Sequence, residues 1–172
     1  MNPKVFVIEN FYDNPDDLRK YVLNNIEFNS HVYHPGVRSC NVEIEGVKDK
    51  IESFLKPFFG KIEELIMSFQ VNTSFEKSWI HTDDNTRNWA GVIFLTPEAP
   101  VESGTDIYLS TETNINSNDT EVFKWKRQNH IGNIYNRLVL FRSDDFHMSS
   151  KYFGNNMENG RLIQLLFIKT EL

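Results

Sequence analysis

The chain has 172 residues, 40% of them hydrophobic and 13% aromatic, with 14 Phe, which is enough apolar material for one sizeable core. A formal net charge of -6 matches a phosphate backbone poorly, so a nucleic-acid partner is not expected. The single cysteine, Cys40, excludes an intramolecular disulfide and cysteine-rich zinc sites, and no apolar run approaches the ~20 residues of a membrane span.

The first apolar stretch, Val5 to Ile8, is too short for a signal-peptide core and reads as a buried strand, so a cytoplasmic protein is expected. Asn14-Pro15-Asp16-Asp17 opens a helix: Asn14 can cap, Pro15 suits the first position and the acids favour the positive end of the dipole. Leu18, Tyr21, Val22 and Ile26 share its apolar face. His31 to Cys40 reads as a loop punctuated by Pro35-Gly36 and rich in groups that recognise ligands, His31, Tyr33, His34 and Arg38. Val47 to Met67 has helical spacing, with a break expected near Pro57.

From Ser68 the apolar period shifts towards two. Strands are expected at Phe69 to Thr73, Trp79 to Asp83, Trp89 to Leu95, Thr105 to Leu109, Arg137 to Phe141 and Leu162 to Lys169. Lys124-Trp125-Lys126-Arg127 reads as a solvated turn or helix face, and Asn114 to Thr120 as a loop. No interdomain linker shows. The chain reads as one domain, 1–172, with a strand and support helices in 1–67 and a β-rich core in 68–172. Many short strands with turn signals point to a sandwich or barrel, of which jelly rolls are one kind.

The chemistry centres on Trp79-Ile80-His81-Thr82-Asp83. Side chains two apart on an extended segment point the same way, so His81 and Asp83 can reach one metal. His147 is the best candidate for a third ligand. Two histidines and one carboxylate on one face leave positions open and suit non-haem Fe(II). Arg161 opens a buried strand fourteen residues after His147. Any one of these features alone is an ordinary structural residue. Their order along the chain is what singles them out.

In that order the sequence resembles the 2-oxoglutarate- and Fe(II)-dependent dioxygenases, in the branch that includes the prolyl hydroxylases. The resemblance runs from about Phe69 to Lys169. It covers His81-Thr82-Asp83, the strand Val92 to Pro97, the turn Glu102 to Ile107, the strand Asn136 to Phe141 leading to His147, and Gly160 to Phe167 with its basic residue. The Tyr33 to Arg38 loop and Asn136-Arg137-Leu138-Val139 also resemble an uncharacterised group of oxygenases from bacteria and phages, which implies the cytoplasm of a bacterium or a phage-infected host.

The resemblance implies a mainly β (α+β) fold, a double-stranded β-helix of jelly-roll or cupin-like kind with the N-terminal helices packed on one sheet. It implies His81, Asp83 and His147 as catalytic iron ligands, Arg161 as the 2-oxoglutarate anchor, and Fe(II), 2-oxoglutarate and O2 as cofactor and co-substrates. The implied reaction hydroxylates a peptide, prolyl side chains included, or a small molecule, and converts 2-oxoglutarate to succinate. An Arg fork suits the co-substrate's far carboxylate, because it pairs bidentately and keeps its charge. Family members often carry a tyrosine where Phe94 stands, and Phe94 has no hydroxyl to give. Arg161 then needs a second donor, for which Ser149, Gln70 and Asn72 are candidates. Base-repairing members carry a second arginine where this chain has Phe167, which argues against nucleic-acid demethylation. Tyr33, His34, Arg38 and Trp125 are the candidate substrate contacts. Two other readings remain open: a non-catalytic metal-binding domain on the same fold, and a cupin-like metalloenzyme that does not use 2-oxoglutarate.

Overall fold

Residues 4–83, 86–110 and 124–172 are described by the structure, a computed structural model. Seven strands form the major sheet: β1 (Val5–Ile8), β2 (Phe28–His31), β3 (His34–Ser39), β4 (Ile62–Asn72), β5 (Trp89–Phe94), β8 (Leu138–Arg142) and β10 (Arg161–Thr170). Their order is β1-β8-β5-β10-β4-β3-β2, with antiparallel pairing throughout. A minor sheet faces it, in the order β7-β6-β9, from β6 (Thr105–Ser110), β7 (Trp125–Ile131) and β9 (Phe146–Ser149). Two facing antiparallel sheets around a cavity are the double-stranded β-helix implied by the sequence.

Alternation along β10 explains both layers. Leu162, Leu166 and Ile168 face outward, where they join Phe11, Val22, Ile51, Leu55 and Phe59 in one apolar cluster, and Gln164 on the same face accepts from the Tyr12 hydroxyl. Those last five come from the N-terminal segment, α1 (Pro15–Asn25) and α2 (Val47–Phe59), so the helices cover the outer face of the major sheet. Ile163 faces inward with Ala90, Val92, Phe94, Ile107, Val139 and Phe141, and forms a second cluster between the sheets. Among the described residues no helix is long and apolar enough to cross a membrane.

Several local expectations are corrected. The helical pattern does not run to Met67: α2 ends at Phe59, Gly60 takes a positive φ of 76°, and β4 begins at Ile62. Ile62, Leu65 and Ile66 have helical spacing, but every residue from Leu65 to Asn72 has a partner in β10, and that pairing overrides the local preference. Pro57 lies in the last turn of α2 without ending it. The loop expected at His31 to Cys40 is the hairpin β2–β3. Lys124 to Arg127 leads into β7 rather than a helix face. This edge strand carries charge on its exposed positions, which discourages further pairing. β1 is an edge strand too, half-exposed rather than buried. Asn14 caps α1 with no side-chain bond, and Tyr21 is mostly outside the core at 52% exposure. The loop expected at Asn114 to Thr120 lies outside the described residues.

Candidate active site

The candidate metal centre is built by one cross-strand pair. His81 and His147 each donate the backbone N–H to the other's carbonyl, at 3.0 and 2.9 Å. Such an antiparallel pair puts both side chains on one face, and the two imidazole centroids lie 4.5 Å apart. The segment around His81 makes this single bridge rather than the regular strand expected from Trp79 to Asp83. A continued ladder would pair Asp83 with Asp145. The Asp145 carbonyl is instead taken by His147 Nδ1 at 2.9 Å, and Asp83 donates its N–H to Ser143 at 2.9 Å. The Asp83 carboxylate still returns to the shared face. Its oxygens lie 3.4 Å from His147 Nε2 and 3.9 Å from His81 Nε2. One donor atom from each of the three residues lies within 4.8 Å of the others.

Hydrogen bonds fix the tautomers. A carbonyl can only accept, so His147 Nδ1 must carry the proton it gives Asp145. His81 Nδ1 likewise donates to the Trp79 carbonyl at 2.9 Å. Both Nε2 lone pairs are therefore free and aimed at the Asp83 carboxylate. Burial, aided by the neighbouring His81, drags the His147 pKa down to about 4 against a partial opposing pull from Asp83. His147 is neutral near pH 7, as a ligand must be. Two neutral imidazoles and a carboxylate with open space beside them suit a divalent first-row metal.

That open space is a cavity of about 400 Å³ between the sheets. Its floor is apolar, from Ala90, Val92, Phe141, Ile163, Leu165 and Phe167, and Asp83 is the one acid on its wall among the described residues. Of the candidate substrate contacts, Tyr33, His34 and Arg38 line it. Trp125 does not: it is buried in the minor sheet against Phe146, with ring centroids 4.5 Å apart.

Arg161 sits on the same strand face as Ile163 and Leu165, just behind the cavity wall and fully buried. Nε donates to the Ser103 carbonyl at 2.9 Å and Nη2 to that of Gly104 at 3.3 Å, and the guanidinium lies over the Phe94 ring. Among the described residues Nη1 has no partner, and no carboxylate is close enough to pair with it. Burial lowers its pKa to about 10. A buried cation with one unused donor arm and no counter-ion suits an anionic ligand.

Gln70 and Asn72 line the cavity, and both donate to the Pro35 carbonyl, at 2.9 and 2.8 Å; Gln70 also donates to Asn72 Oδ1, so its amide N–H groups are both used, while Asn72 commits one of its two. Ser149 is on the wall, paired across the sheet with Thr105, which also lines it. Sequence reasoning missed Thr105 and Tyr152. The Tyr152 phenol lines the cavity close enough to act electrostatically on both Arg161 and Arg38. A tyrosine in an irregular segment carries no spacing signal that would have flagged it.

The two sheets and the cavity between them define a double-stranded β-helix, a fold shared by the solved 2-oxoglutarate-dependent oxygenases that this chain matches. No family model and no curated protein matches the sequence. Solved structures do match. A prolyl hydroxylase from Trichoplax adhaerens, in complex with a hypoxia-inducible-factor oxygen-degradation-domain peptide, is 15% identical with a TM-score of 0.66, over 98% of this chain and 84% of that one. A Pseudomonas putida prolyl-4-hydroxylase is 13% identical with a TM-score of 0.59, over 96% and 92%. HygX from Streptomyces hygroscopicus, with nickel, 2-oxoglutarate and hygromycin B bound, is 8% identical with a TM-score of 0.66, over 99% and 84%. At these identities the likeness is one of fold.

Proposed function

We propose that this protein is an Fe(II)- and 2-oxoglutarate-dependent dioxygenase that hydroxylates a small molecule or a peptide and converts 2-oxoglutarate to succinate and carbon dioxide. One observation carries the reading: the free Nε2 atoms of His81 and His147 converge with the Asp83 carboxylate at a cavity backed by a buried guanidinium that has no counter-ion among the described residues. HygX holds a metal, 2-oxoglutarate and a small molecule on this fold, and the Trichoplax enzyme holds a peptide, which supports both substrate types.

His81, Asp83 and His147 would hold the ion, and Arg161 the far carboxylate of 2-oxoglutarate. When bound, the ferrous ion supplies dioxygen activation. The chain supplies orientation and dryness. The His147 and His81 tautomers are locked by carbonyls, and Ile163, Leu165 and Phe167 keep water from the floor. Ser149, Thr105 and the Tyr152 phenol are the hydroxyls placed to complete the anion site that Phe94 leaves short of a donor. We place the whole chain, 1–172, in one catalytic unit working in the cytoplasm.

The test is anaerobic addition of Fe(II) and then 2-oxoglutarate. A weak visible charge-transfer band is expected, with succinate forming once oxygen is admitted. His81→Ala and His147→Ala should each abolish both. Persistent succinate formation with both histidines removed would sink the reading.

A further inference from the structure

Arg38 is the one cation on the cavity wall among the described residues. It lies on β3, level with Gln70 of β4 and Ile163 of β10, while Arg161 pairs with Asn72 one row further along. Its Nε and Nη2 both donate to Gln70 Oε1, at 3.1 and 2.6 Å. Gln70 is in turn held by the Pro35 carbonyl and by Asn72. The guanidinium is therefore fixed by a neutral acceptor, and Nη1 has no protein partner among the described residues. Pinning the hairpin uses Nε and Nη2 and leaves a donor arm over on a residue that lines the cavity. Among the described residues no carboxylate comes within ion-pair distance; the acid that acts on it is Asp83, which the metal would claim.

Charge balance points the same way. Among the described residues, Arg38, Arg161 and a metal dication would oppose the Asp83 carboxylate alone. A dianionic 2-oxoglutarate offsets two of the three remaining positive charges, and one is left in a low-dielectric cavity. His34 beside Arg38 adds no charge, since burial, Arg38 and His31 all lower its pKa. Tyr33 and Trp79 line the same region and offer apolar ring surface.

We propose that Arg38 forms a second anion site in this cavity, separate from Arg161, and that the substrate is a small molecule that presents a carboxylate to it from an apolar or aromatic body. This rests on the proposed metal and 2-oxoglutarate site.

The test uses the whole chain loaded with Zn(II), which cannot turn over, and saturating 2-oxoglutarate. Calorimetry follows acetate, benzoate and N-acetylglycine, each beside its primary amide. At least one carboxylate should bind one to one, and at least 10-fold tighter than its amide. Arg38→Gln should weaken that carboxylate by about 10- to 100-fold, as expected for losing a charged hydrogen-bond partner, with the 2-oxoglutarate affinity changed less than about 3-fold. Arg38→Lys keeps the charge and should fall between, which separates the charge from any effect on folding. Carboxylates that bind no better than amides would overturn the proposal. So would carboxylate binding that survives Arg38→Gln, which would mark a metal or surface ion, or a loss of 2-oxoglutarate binding in that variant. Should the protein fail to load Zn(II) and 2-oxoglutarate, the proposed function falls and this inference with it. A loaded protein indifferent to carboxylates overturns this inference alone.

Discussion

Replacing Arg161 with methionine should separate stability from ligand binding. The guanidinium is fully buried, and burial lowers its pKa from the usual arginine range to about 10, a drop of roughly two to two and a half units. That difference is worth about 3 kcal/mol. The sign follows from the direction: folding disfavours the protonated form, so at pH 7 the charge destabilises the native state. The penalty fades only as pH rises past the native pKa. Arg161→Met removes it. The variant also gives up two bonds from a charged donor to the Ser103 and Gly104 carbonyls, at about 1.5–3 kcal/mol each. The gain offsets at least half of that loss, so the metal-free variant should lie between the parent and about 3 kcal/mol below it, a fall in Tm of at most roughly 6–12 °C. A buried charge with a real partner would cost about 3–5 kcal/mol to break. Ligand binding should respond in the opposite way. In the parent, Zn(II) with 2-oxoglutarate at ~100 times its Kd adds about 2.7 kcal/mol, or roughly 5–10 °C. In Arg161→Met, 2-oxoglutarate should add nothing beyond the metal's own effect. Thermal unfolding with and without each ligand reads both quantities. A variant that loses more than ~3 kcal/mol, or that keeps its 2-oxoglutarate shift, would refute the reasoning.

Two further outcomes follow from the same geometry. With the His147 pKa held at about 4, the native protein stays neutral there while the unfolded chain takes up a proton below 6.5. The metal-free protein should lose about 3 kcal/mol from this group as pH falls from 6.5 to 4. Urea unfolding across that window should show a shallower slope for His147→Gln than for the parent, and equal slopes would contradict the assignment. Gly36 has a φ of +71°, and a Cβ there would stand 2.2 Å from the Val71 carbonyl oxygen. Gly36→Ala should therefore cost at least ~2 kcal/mol, seen as a lowered Tm. A negligible change would mean that β3 is not pinned to β4 at this point.

Regular elements were the legible ones. Trp89 to Leu95 and Leu162 to Lys169 read as strands because they are long apolar runs rich in β-branched and aromatic residues, and both lie at the centre of the major sheet. The first half of β4 was not legible. Ile62-Glu63-Glu64-Leu65-Ile66 carries a helical period and good helix formers, and only the long-range pairing with β10 decides it. β7 was hidden for the reverse reason. Its exposed charges block further pairing at an edge and erase the alternation that marks a half-buried strand.

The candidate site was legible in its residue types more than in its geometry, and the reason is physical. In the sequence, Pro35-Gly36 signals a loop, because proline lacks an N–H and breaks a ladder. In the structure the Pro35 carbonyl is met by the side chains of Gln70 and Asn72 in place of a backbone partner, so β3 stays on the sheet. The metal-ligand segment works alike: His147 Nδ1 takes the Asp145 carbonyl that a regular ladder would use, and Asp83 shifts to Ser143. In both places side chains stand in for backbone bonds. That substitution conceals the element from a periodicity reading. It also leaves Arg38 Nη1 and the two Nε2 atoms uncommitted on residues that line the cavity, since the groups that hold them in place are already satisfied.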